Sequence, residues 1–313
     1  MDMARGSMRL VLDARTAAFA ALIDYAGLFP PASRSMPDAF ASYRRIRSEP
    51  RAWVGGRFLC RASQLPDLAA VATATLTRGE TPWEISVVFD LPAGESAAHA
   101  VDFQAEMNPV MTIAAVEAKL TEATAVGSGS LLDAMLSVGT EVVPFVEVDR
   151  SGSITAQVGL IADALRSRRR VGGAKLRCGG ETADLVPTSA ETAEFIMAAT
   201  DQGLPFKATA GLHQPIRHFD EDLGIERHGF VNILMAAVLA VTGSDIMTIE
   251  AIITDTDPKA FSLSAAFATW RGHEVPGSAL RRMRQTGFIA YGSCDFDEPT
   301  EALEHLGFLG GGA

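Results

Sequence analysis

Val171-Gly172-Gly173-Ala174-Lys175-Leu176-Arg177-Cys178-Gly179-Gly180 is followed, after a helical pattern, by Pro205-Phe206-Lys207-Ala208-Thr209-Ala210-Gly211-Leu212-His213. Each segment reads as a short apolar strand that ends in glycine and carries one internal lysine. Side chains alternate faces along a strand, so Lys175 shares a face with Arg177, and Lys207 shares one with Thr209. Two such strands lying side by side and parallel would bring four polar side chains together near their C-terminal ends. That is the end at which α/β folds place ligands.

Outward from this pair, strands and helices alternate. Strands are expected at Gly56 to Arg61, Glu84 to Asp90, Val110 to Val116, Val142 to Val148 and Phe288 to Gly292. Helices are expected at Asp13 to Ile23, Gln64 to Leu76, Glu95 to Met107, Leu131 to Leu136, Ile154 to Arg168 and Ala190 to Ala199. Ser35 with Asp38, and Thr188 with Glu191, have the spacing of helix caps. Asp257-Pro258 has the N-cap and N1 pattern of a further helix. Repeated βα units of near-continuously apolar strands mean a parallel sheet covered on both faces. The α/β class follows, as a (β/α)8 TIM-like barrel with seven readable strands. The eighth is Leu22 to Leu28 or Phe230 to Met235. An open doubly wound parallel sheet is the alternative, without the Gly-rich phosphate fingerprints that such sheets carry. A flexible start over residues 1–12, a single barrel domain over 13–308 with an N-terminal helical extension, and a flexible tail over 309–313 complete the expected organisation.

The 313 residues carry a net charge of -11, 48% hydrophobic and 21% charged side chains. An acidic surface argues against nucleic acid and anionic membranes as partners. The longest apolar run, Ile233 to Val241, is too short to span a bilayer, and no basic region leads into an apolar one at the start. Three cysteines without C-x-x-C spacing suggest neither a disulfide framework nor a zinc site. A cytoplasmic protein with reduced thiols is expected; self-association stays open.

In a barrel, polar residues at strand C-termini form the site: Arg61, Asp90, Glu147, Lys175, Arg177, Lys207, Thr209, Ser293 and Cys294, with His213 just beyond its strand. Arg177 is the natural fork for a carboxylate or phosphate. Cys294 precedes a helix start, where backbone N–H groups can bind an anion. The loop Asp24 to Pro31 reads as an apolar plug or as a pocket lid that offers Asp24 or Tyr25. His213, His218 and His228 with Glu147 or Asp220 have no metal-binding spacing.

Lys207-Ala208-Thr209-Ala210-Gly211 is similar to the Lys-Thr-Ser-Thr-Gly strand that carries the Schiff-base lysine of deoxyribose-phosphate aldolases. Lys175-Leu176-Arg177-Cys178-Gly179-Gly180 loosely resembles their second lysine strand, Lys-x-Ser-Gly-Gly. The order along this chain is reversed, and Arg177 and Cys178 are foreign to that pattern. The resemblance implies a lysine-using barrel. The expected activity is an aldolase-type lyase, without a cofactor, acting on a small anionic carbonyl substrate. Lys207 would be the nucleophile, Lys175 the neighbour that depresses its pKa, Arg177 the anion clamp, and Glu147 or His213 the proton shuttle. The alternatives are an isomerase or lyase assisted by one divalent metal ion on Glu147, Asp90 and His213, and a non-catalytic binding barrel.

Overall fold

The computed structural model describes residues 13–77, 79–120 and 131–309. The expected flexible start, and all of the expected tail except Leu309, lie outside these. Eight parallel strands close into a barrel. In spatial order they are β1 (Ile23–Tyr25), β13 (Phe288–Ser293), β7 (Phe206–Thr209), β6 (Gly173–Arg177), β5 (Val143–Glu147), β4 (Met111–Lys119), β3 (Trp83–Val88) and β2 (Gly55–Arg61). The (β/α)8 barrel is therefore the fold, and closure removes the open-sheet alternative.

The first of the two candidate segments supplies the eighth strand. The expected helix from Asp13 to Ile23 is shorter: α1 (Ala14–Phe19) stops before Ala21, whose φ of 49° turns the chain into β1. The other candidate is helical, α8 (Phe230–Val241), and is buried along nearly its whole length. A helix apolar all round must be enclosed; α8 packs against α7 (Ser189–Asp201) and α9 (Ile246–Thr254), which also pack on each other.

Local chemistry fixes most of the helices. Ser35 accepts from the Asp38 N–H at the start of α2 (Met36–Ile46). Thr188 and Glu191 make the reciprocal capping box of α7. Between β2 and β6 lie α3 (Leu65–Thr75), α4 (Ala93–Met107), α5 (Leu131–Ser137) and α6 (Ile154–Ser167).

The long connection from β7 to β13 was only partly legible. It holds a hairpin, β8 (His218–Asp220) with β9 (Ile225–Arg227), and a three-stranded meander, β10 (Phe261–Leu263), β11 (Phe267–Trp270) and β12 (His273–Pro276). Asp257-Pro258 does not start a regular helix. Asp257 caps only the single 3-10 turn Pro258–Ala260, after which the chain enters β10. Asp255 pins that meander by accepting from the Trp270 indole at 2.8 Å and the Arg271 guanidinium at 2.7 and 2.9 Å. The chain then runs through α10 (Gly277–Thr286) and β13 into α11 (Asp297–His305). Among the described residues no helix is long and apolar enough to cross a membrane.

Candidate active site

Strands β6 and β7 are neighbours in the register the sequence implied, with Lys175 opposite Lys207 and Arg177 opposite Thr209. Glu147 of β5 stands opposite Lys175 on its other side. Two glycine-ended turns follow. Gly179 and Gly211 pass so closely that a Cβ on Gly211 would meet the Gly179 Cα at 2.9 Å, and Gly211 has a φ of +69°. Glycine is the residue that permits both the approach and that backbone conformation.

Inside the barrel the charged side chains form a chain. The Lys207 Nζ binds Asp24 Oδ2 at 2.6 Å and also reaches Glu117 Oε1. The other oxygen of Glu117 binds the Lys175 Nζ at 2.9 Å, and Lys175 reaches Glu147 Oε2 at 3.1 Å. Ser86 donates to Glu117 Oε1 at 2.7 Å, and the Lys207 ammonium lies 5.4 Å from the Phe145 ring centre. Asp24, Glu117 and Lys207 are each 1% exposed. Charges this deep are tolerable because every one is paired. Burial alone would raise the Glu117 pKa, but Lys175 and Lys207 overcome it and hold the carboxyl well below its usual range. Burial would likewise lower the Lys175 pKa, but Glu117 and Glu147 win and raise it.

This arrangement corrects two expectations. Lys175 was to act on Lys207 as a bare neighbouring cation, but Glu117 stands between the two lysines and pairs with both. Lys207 was to meet the substrate, but it does not line the cavity over the strand C-termini. That cavity, of ≈ 720 Å³, is lined by Lys175, Glu117 and Glu147, and by Arg177, Arg61, Lys119, Thr209, His213 and Cys294. Lys207 lies beneath, tied to Asp24, which borders a separate cleft at the opposite end of the barrel.

Glu117 was missed because the strand was expected to end at Val116, whereas β4 continues through Lys119. Past a register shift between Ile113 and Ala115, the alternation runs through Ala115, Glu117 and Lys119 on one face. Asp24 and Tyr25 lie in β1, as the reading of Leu22 to Leu28 as a strand implied, and neither lines the cavity as a lid residue would; Phe29, Pro30 and Pro31 beyond them do.

Other expected residues fall outside. The Asp90 carboxylate is taken by Ser63, whose N–H donates at 3.0 Å and hydroxyl at 2.5 Å, and it is absent from the lining. Ser293 is buried behind the wall. At Cys294 the following helix start is not free for an anion, because Asp295 accepts from the Glu298 N–H at 2.9 Å. Cys60 and Cys178 are core residues, and burial pushes the Cys178 thiol up to about 12. His228 is structural: it pairs with the Pro187 carbonyl at 2.7 Å, and burial lowers its pKa to about 4. His218 lines the cavity but contacts the Ile216 carbonyl. Among the described residues no group of three or more His, Cys, Asp or Glu side chains is placed to hold a metal ion.

Arg227, which also lines the cavity, is engaged with Asp220. Arg61, Lys119 and Arg177, by contrast, make no ion pair among the described residues, while sharing one cavity. The Arg177 Nε donates to the Gly179 carbonyl at 2.9 Å, which anchors one edge of the guanidinium. A small anion is the complement of such a group. Arg177→Lys is expected to weaken binding of small carboxylates by about 1–3 kcal/mol, the range for hydrogen bonds to charged groups. Calorimetric titration with pyruvate reads this; unchanged affinity would remove Arg177 from the site.

Compared with known proteins, the chain matches no family model, no curated protein and no solved structure.

Proposed function

We propose that the cavity is the active site of an aldolase-type lyase for a small anionic carbonyl compound, with Lys175 as the amine that meets the carbonyl. The supporting observation is that Lys175 is the lysine of the buried ion chain that also lines the cavity. Arg177, with Arg61 and Lys119, receives the carboxylate or phosphate. On substrate entry Lys175 passes a proton to Glu147. Its nitrogen then adds to the carbonyl carbon, water leaves, and a protonated imine remains. That imine draws in the electron pair of the bond between its α and β carbons as this bond breaks, leaving an enamine, with Glu147 taking the proton of the β-hydroxyl as that carbon becomes the carbonyl of the departing fragment. Glu117 and Lys207 hold Lys175 in position from below.

A second reading follows from the raised Lys175 pKa. Lys175 stays an ammonium and stabilises an enolate oxygen, while Glu147 removes the neighbouring proton. The experiment that separates the two is reduction with borohydride in the presence of pyruvate or glyceraldehyde 3-phosphate, followed by peptide mass spectrometry. The lyase reading expects an adduct on Lys175 and none on Lys207. No adduct on either lysine with either probe would sink the imine. An adduct on Lys207 would return that residue to the role the sequence suggested.

A further inference from the structure

On the wall of the same cavity stand three residues that the lysine chemistry does not account for. The Cys294 Sγ lies 3.7 Å from His213 Nε2, and His213 Nδ1 lies 2.9 Å from Glu298 Oε2. All three line the cavity. The Gln214 amide donates to the other Glu298 oxygen at 2.9 Å, which fixes the carboxylate. The elements that hold them are far apart in sequence: His213 follows β7, Cys294 follows β13, and Glu298 opens α11. A thiol beside an imidazole, with a carboxylate on the far ring nitrogen, is the nucleophile, base and orienting group of covalent catalysis.

We propose that Cys294 is a nucleophile that adds reversibly to the aldehyde carbon of a small anionic aldehyde held in this cavity. This rests on the reading of the cavity as a carbonyl site, but not on any role for Lys175. Before attack the thiol proton rests on His213 Nε2, and the sulfur adds as the thiolate that the imidazolium holds. The new S–C bond forms, the C=O π pair moves to oxygen, and His213 returns the proton to that oxygen. A thiohemiacetal results, with no oxidant or reductant needed. Glu298 holds the imidazole with Nδ1 protonated toward itself, leaving Nε2 to face the sulfur. The His213 pKa is raised to about 10, first by the Cys294 contact and then by Glu298, against the effect of burial. Other titratable groups face this cluster: Tyr25 of β1 interacts with Cys294, Tyr291 of β13 with Glu298, and His218 also acts on Glu298. In a lyase, such an adduct would hold the aldehyde fragment next to Lys175.

The test is alkylation of the purified protein by iodoacetamide at pH 7, with each cysteine followed by peptide mass spectrometry. Cys294 is expected to react at least about tenfold faster than Cys60 and Cys178, and at least about tenfold faster than in His213→Gln. Glu298→Gln should give an intermediate rate, which keeps the test open if the His213 variant unfolds. Glyoxylate should protect Cys294, and glycolate, of the same size and charge but without the aldehyde, should not. Protection should persist in Lys175→Met; a wild-type protein that traps no lysine adduct but keeps the protection of Cys294 would discard the imine mechanism and leave the thiol adduct standing. A Cys294 that reacts no faster than the core thiols, or equally in both variants, overturns the proposal. So does equal protection by glycolate and glyoxylate.

Discussion

Lys207→Met is expected to lower the stability of the protein at pH 7 by about 3–5 kcal/mol, the cost of removing one partner from a buried ion pair. The substitution leaves Asp24 and Glu117, both 1% exposed, with Lys175 as the one ammonium in a chain that also contains Glu147. A methionine fills the space but not the charge. For a chain of this size each kcal/mol moves Tm by roughly 2–4 °C, so thermal melting resolves the effect easily. The pH dependence has a definite sign. The folded-state pKa of Glu117 is depressed, so its contribution is present above the unfolded value of about 4.3 and is lost as pH falls through the folded value. In the variant the lone carboxylates gain by taking up protons. The gap between wild type and Lys207→Met should therefore narrow as pH falls below about 4.3. Asp24→Asn combined with Lys207→Met should recover part of the loss, since neighbours in one network do not add. A single variant as stable as wild type at pH 7 would show that the ion chain carries no net stabilisation.

Lys175→Met is expected to lower catalysis at the carbonyl by at least about a thousandfold, as removal of a covalent nucleophile does. The measurement is exchange of the pyruvate methyl protons with deuterium oxide, followed by NMR, because both an imine and an enolate mechanism promote it. Lys175→Arg separates them. An imine mechanism leaves the arginine variant as inactive as the methionine one, whereas an ammonium that stabilises an enolate is partly replaced by a guanidinium. The raised folded-state pKa of Lys175 also sets a direction: the imine route should accelerate as pH rises through neutrality, because more of the amine is free. The stability cost should be smaller than for Lys207→Met. Glu147, the carboxylate stranded beside the cavity, is 7% exposed and can be reached by water, while Glu117 keeps Lys207. Exchange that is unchanged in Lys175→Met would remove this lysine from the chemistry.

The chain's own residues determined more of the fold than of the site. The period of apolar residues, the caps at Ser35 and Thr188 and the glycines after β6 and β7 act over a few positions, and they were enough for a parallel barrel with Lys175 and Lys207 on adjacent strands. Side-chain alternation also put Arg177 and Thr209 opposite each other. What the sequence could not decide is depth. Lys175 and Lys207 look alike in sequence, each a lysine in a short apolar strand. Closure of the barrel places one at the cavity and the other beneath it, because strand tilt and stagger set height along the axis. Pairing was equally hidden. Glu117 sits 58 residues before Lys175 and 90 before Lys207, and no local pattern links them. Only the closed sheet brings its carboxylate between the two ammonium groups, so that neither lysine faces the other bare. The same holds for Cys294, His213 and Glu298, which three separate segments deliver to one wall. Local propensity acts along the chain; Coulomb and proton-transfer interactions act through space, over a few ångströms that tertiary structure alone defines.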